Sequence, residues 1–70
     1  MTVGEKIRQL RENKGIHQYE LAKELGCIKQ SISGWETGKF EPSLFYCILL
    51  ADFFGISLDE LACRDFKGVK

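Results

Sequence analysis

Histidine, proline and net charge are scarce in these 70 residues, and so is any long apolar run. His17 is the only histidine, so a metal centre or an imidazole acid–base pair would lack its second member. Ten basic side chains against ten acidic ones leave no net charge. That balance argues against a grip on nucleic acid made mainly by a large positive field. No stretch approaches the roughly 20 apolar residues of a membrane span, and the N-terminus MTVGEKIRQL carries charges where a signal peptide needs an apolar run. A cytoplasmic protein with no membrane contact is the expectation. Cys27, Cys47 and Cys63 are odd in number and fit neither a CxxC metal knuckle nor a closed disulfide framework. They read as reduced packing residues, Cys63 being the one to expect exposed, since it lies near a helix end. No metal, cofactor or small-molecule ligand is indicated, and no pair of catalytic groups or phosphate loop marks an enzyme.

What the chain does hold is enough apolar side chain for one small core. At this length folding buries only about 60–65 per cent of the unfolded surface, so the core must be efficient. We expect one domain over residues 1–63 and a short charged tail over 64–70. Charge is spread unevenly. Residues 1–39 carry seven basic and five acidic side chains, whereas residues 40–70 carry three and five, so the positive side falls on the first half.

Helical signals follow one another along the chain. Thr2-Val3-Gly4-Glu5 has the form of a capping box, after which Val3, Ile7 and Leu10 recur on one helical face to about Asn13, with Gly15 as the stop. From Gln18 the inward positions are Leu21, Ala22 and Leu25, and Gly26 ends the second helix. A third helix over about 29–36 places Ile28, Ser31, Ile32 and Trp35 on one side, and Lys29, Gln30, Ser33, Gly34 and Thr37 on the other. The second set is polar or bare and points away from the core. Ser43 caps a fourth helix from Leu44 to Phe54, in which Leu44, Cys47, Ile48, Ala51 and Phe54 form an inward stripe. Ser57-Leu58-Asp59-Glu60 is a second capping pattern opening a short helix to about Cys63. With no alternation long enough for a strand, the fold class is all-α, a compact bundle of five helices.

The second and third helices carry the function. A helix, a glycine turn and a second helix with a short polar outer face is the build of a DNA-reading helix-turn-helix. Counting Gln18 as first, Ala22 falls fifth, Gly26 ninth, Ile32 fifteenth and Trp35 eighteenth, where the motif needs a close contact, a positive φ and two core anchors. The third helix is then the recognition helix, in the major groove.

From Val3 to Leu61 the chain resembles the lambda-repressor-like (Xre-type) helix-turn-helix family, in IRQLRENKGIHQYELAKELGCIKQSISGWETGKFEPS and in LADFFGISLDEL. The resemblance implies a bacterial, phage or plasmid transcriptional regulator, a repressor by first choice, that binds a double-stranded DNA operator as a homodimer. It also implies residue roles. Lys29, Gln30, Ser33 and Gly34 occupy the positions that face base edges, with Gln30 the first choice for readout. Gln18 stands where the family contacts phosphate and braces a glutamine of the recognition helix. Lys39, with the backbone near Thr37 and Gly38, lies where the family meets the sugar-phosphate chain, and His17 at a helix start is near it. Arg11 and Glu36 look like the family's ion pair between the first and third helices, and the resemblance implies that it holds the fold; the alternative is an ordinary surface pair contributing ~0–1 kcal/mol.

Three departures from the family pattern stand out. His17 and Ile28 replace the usual hydroxyl or amide caps, a change of about 1 kcal/mol each. Gly34 leaves a gap on the reading face. Phe45, Tyr46 and Leu49 replace polar residues on the fourth helix, and Phe45, Leu49 and Phe53 at i, i+4 and i+8 form a second apolar row. Such a row suggests the homodimer contact, setting two recognition helices about 34 Å apart, one turn of DNA. The alternative is a protein-interaction module on the same scaffold, with DNA binding weak or lost.

Overall fold

The Thr2 hydroxyl accepts the Glu5 amide at 3.1 Å and the Glu5 carboxylate accepts the Thr2 amide at 2.8 Å, so α1 (Val3–Lys14) opens on a closed capping box. The computed structural model describes residues 1–63; the tail expected over 64–70 lies outside the described residues. After α1 come α2 (Gln18–Leu25), α3 (Lys29–Glu36), α4 (Leu44–Phe54) and α5 (Leu58–Leu61). Among the described residues there is no strand. α5 is a single turn that stops short of the expected Cys63, because Cys63 has left the helical region at φ 60°.

Two of the helix starts lack a hydroxyl. At α2 the Glu20 carboxylate compensates by accepting the His17 amide at 2.7 Å, so this cap is not the weak one its sequence suggests. Ile28 offers α3 no side-chain cap. Between them, Gly26 turns the chain at φ 74°, a conformation in which a Cβ would be strained.

Ile7, Leu21, Ala22, Leu25, Ile32, Trp35, Leu50, Ala51 and Leu61 form one buried cluster to which all five helices contribute. Small residues set the helix spacing. Ala22 is buried on α2, and Gly4 on α1 backs onto α3 so closely that a Cβ there would collide with the Trp35 carbonyl oxygen. Burial pushes the thiols of Cys27 and Cys47 up, Glu41 adding to the rise at Cys47. Both are therefore poor nucleophiles and serve as packing.

Two expected inward stripes are corrected. Ile28 is 63 % exposed, since it precedes the first turn of α3 and turns outward. On α4, Leu44 and Ile48 are exposed rather than inward, whereas Leu50 and Ala51 are buried. Asp52 is the only charged residue of α4, and a helix apolar nearly all round gives periodicity nothing to orient by.

The Gly4 contact yields a sign test. Alanine is favoured over glycine in a helix by roughly 0.5–1 kcal/mol, but overpacking against backbone costs about 1–3 kcal/mol. Gly4→Ala should therefore lower the melting temperature, by roughly 4–8 °C for each kcal/mol lost. An unchanged or raised melting temperature would refute the close approach of α1 and α3.

Candidate nucleic-acid interface

Glu36, the last residue of α3, has no exposed side-chain surface. Arg11 of α1 meets it in a fork, Nε donating to Oε2 at 2.7 Å and Nη2 to Oε1 at 3.0 Å. Gln18 Nε2 of α2 donates to Oε1 at 3.0 Å, and Arg8 Nε reaches the same oxygen at 3.4 Å. Arg11 Nη1 also donates to the Ile16 carbonyl at 2.9 Å, fixing the link between α1 and α2. Burial would raise the Glu36 carboxyl pKa, but the hydrogen bonds from Arg11 and Gln18, the Arg11 charge and the Arg8 bond outweigh it and hold it below its ordinary value. The Arg11 guanidinium is in turn held more firmly charged by the bond to Glu36. With the Arg11 side chain only 12 % exposed, this is not the surface pair of ~0–1 kcal/mol. Arg8, 48 % exposed, is closer to that kind.

On the outer side of α3 the structure gathers Gln30, Ser33, Thr37 and Lys39 around a hollow of about 310 Å³, with Ile28, Ser31, Gly34 and Phe40 completing its wall. Lys29 and Gln30 are exposed at the start of the helix, where a recognition helix meets bases. Lys29 is outside the hollow's lining. Gln18 braces Glu36 and not Gln30. His17 is exposed beside it, its ring stacked on Tyr19 at 5.5 Å.

Gly34 does not leave the gap expected of it. It is buried, and a Cβ there would collide with the Phe40 ring, which takes the place of a side chain at that position. Sequence reasoning missed Phe40. The one available signal was the glycine itself, which within a helix costs about 1 kcal/mol and asks for a close approach.

The loop after α3 is also turned inward. The amides of Thr37, Gly38, Lys39 and Phe40 donate to the carbonyls of Ser33, Trp35, Gly34 and Gly34 at 3.0, 3.2, 2.9 and 3.4 Å. The Thr37 hydroxyl donates to the Ser33 carbonyl at 2.9 Å. Thr37 and Gly38 thus have their donors engaged within the protein, against the expected phosphate contact, and Lys39 contributes its ammonium. Among the described residues, the amides of Gln18 and Tyr19 have no hydrogen-bond acceptor; they open α2, where no helical carbonyl can accept them.

The expected apolar row on α4 is likewise redistributed. Tyr46 packs on Trp35 with ring centroids 5.4 Å apart, Leu49 is half-buried against the core, and Phe53 lies under the Lys14 ammonium at 5.1 Å. Phe45 alone of the four is exposed. It joins Leu44 and Ile48, also exposed, and Leu58 of α5 is exposed as well.

A family model described as "Helix-turn-helix" matches residues 7–61. The chain is 38 % identical over 61 residues to the HTH-type transcriptional activator BcrR of Enterococcus faecalis, covering 87 % of this chain but about 30 % of that protein's length. It is 36 % identical over 56 residues to an uncharacterised HTH-type transcriptional regulator of Methanocaldococcus jannaschii, covering 80 % of this chain and 85 % of that one. Among solved structures, the P22 c2 repressor in complex with a synthetic operator aligns with a TM-score of 0.86 at 32 % identity, over 93 % of this chain and 98 % of that one.

The Glu36 cluster sets a pH dependence. Because the folded-state pKa lies below the ordinary 4.5, its stabilisation is full above that value and is lost as pH falls through the folded-state pKa. Glu36→Gln should cost about 3 kcal/mol at neutral pH, the scale for removing one partner of a buried pair. It should also flatten the acid limb, leaving exposed carboxylates such as Glu5, held low by the Thr2 amide. Urea titrations over a pH series read both effects, and a variant with unchanged stability would sink the assignment.

Proposed function

The chain belongs to the lambda-repressor-like helix-turn-helix family, and on that premise we propose that it is a transcriptional regulator that binds a double-stranded DNA operator. Gln30, exposed, and Ser33, half-buried, lie on the outer side of a helix whose inner face is fixed by Ile32, Trp35 and Glu36, and this arrangement is the observation that carries the reading. Gln30 pairs with adenine N6 and N7, Lys29 donates to guanine, and each good pair discriminates by roughly 1–3 kcal/mol. Ser33 completes the base-facing set. The Lys39 ammonium and the free amides at the start of α2, with Gln18 and His17 beside them, take phosphate and set the register. This is a binding protein and not an enzyme, and it works in the cytoplasm.

Repression by operator occupancy is the proposed effect. Its support is the alignment with a repressor solved on its operator, at 32 % identity. Two copies pair through Leu44, Phe45 and Ile48, the apolar side chains that α4 leaves in water.

Selection of bound duplexes from a random library should return a (pseudo)palindrome whose affinity falls with salt. Gln30→Ala should relax one base position per half-site. Lys39→Ala should weaken all sequences alike and lower the salt slope by about 1 per copy. Failure to enrich any sequence at low salt would defeat the reading. Pairing is read separately: Phe45→Glu with Ile48→Glu should sediment as a monomer and prefer no palindrome over a half-site. A wild-type chain that stays monomeric both free and on DNA would remove the dimer from the proposal.

A further inference from the structure

Phe40 and Ile28 are out of place as ordinary surface residues. They are 47 % and 63 % exposed, yet both stand in the wall of the same hollow as Gln30 and Ser33. Phe40 is held there. Its ring is seated on the bare α3 surface at Gly34, which any side chain would obstruct, and the Gly34 carbonyl accepts the amides of both Lys39 and Phe40. An apolar ring is thereby fixed where the helix itself supplies no side chain.

The major groove offers one apolar group, the 5-methyl of thymine. An A·T pair presents, side by side, the acceptor and donor of adenine that suit a carboxamide and the methyl that suits an apolar wall. Gln30 between Ile28 and Phe40 has that combination. Resting on the DNA-binding reading above, we propose that Phe40 and Ile28 are specificity-determining residues that bind thymine 5-methyl groups next to the base read by Gln30. The glycine at position 34 is then a seat for the loop's aromatic side chain. Sequence preference extends to A·T pairs through contacts that involve no hydrogen bond.

The test replaces each thymine of the selected duplex by deoxyuridine, one at a time, which removes the methyl and keeps every hydrogen-bonding group. Binding of the full chain is followed by fluorescence anisotropy. At one or two positions per half-site the wild type should lose affinity about fourfold, the scale for burying one methyl group. In Phe40→Ala or Ile28→Ala the same replacement should have almost no effect at the corresponding position, while Phe40→Leu should keep part of the sensitivity. Circular dichroism melting confirms that each variant is folded. A flat uridine scan in the wild type, or sensitivity that survives in both alanine variants, overturns the methyl contact and leaves operator binding standing. A library that yields no selected duplex overturns the DNA-binding reading and this proposal with it.

Discussion

Glu36 closes α3 with a carboxylate removed from water, tolerable only because Arg11, Gln18 and Arg8 bring donors from α1 and α2. Apolar contacts within the buried cluster that holds Ile32 and Leu21 are non-directional, and alone they would let α3 slide or roll by a fraction of a turn. Four hydrogen bonds to two oxygens do not. Their directionality fixes the end of α3 relative to both neighbours, and the outer face of the helix inherits that fix. We attribute to the cluster specification of helix register more than net stability, since a buried ion pair often contributes little against an apolar substitute.

The same helix is pinned from its other side. The loop from Thr37 to Phe40 returns its amides to α3 carbonyls, and the Phe40 ring lies on Gly34. What remains turned outward is a short strip of Lys29, Gln30 and Ser33, bounded by Ile28 at one end and Phe40 at the other. Rigid placement of few side chains suits a surface that must discriminate, because every contact not ordered in advance would have to be ordered on binding.

How much of this was legible in the sequence depends on whether the contact was periodic or tertiary. Ala22, Gly26, Ile32 and Trp35 fall at spacings imposed by one local geometry, and all five helices could be placed from caps and apolar period. Glu36 with Arg11 was available only through resemblance, since nothing local pairs two residues 25 apart in the chain. α4 defeated periodicity: its residues LFYCILLADFF are apolar on every face, so the buried side had to be set by Leu50 and Ala51 meeting the core. Gly4 and Gly34 were opaque for a related reason. A glycine shows in sequence that something comes close, but not whether it is the Trp35 backbone or the Phe40 ring.

Zero net charge, which at first counts against a DNA-binding chain, bears on selectivity once the reading face is fixed. Phosphate attraction strengthens binding to every duplex alike, and a regulator works by the ratio of specific to non-specific affinity among very many competing sites. With the donors of the Thr37–Phe40 loop turned inward, the proposed phosphate contacts are few, the Lys39 ammonium and the start of α2. The affinity thus forgone can be recovered by pairing, which makes the second half-site contact intramolecular and raises its effective concentration. If the chain pairs through α4 as proposed, the apolar side chains that α4 leaves in water and the sparse charge of the reading face are two halves of one solution: discrimination comes from few fixed contacts, and strength from having them twice.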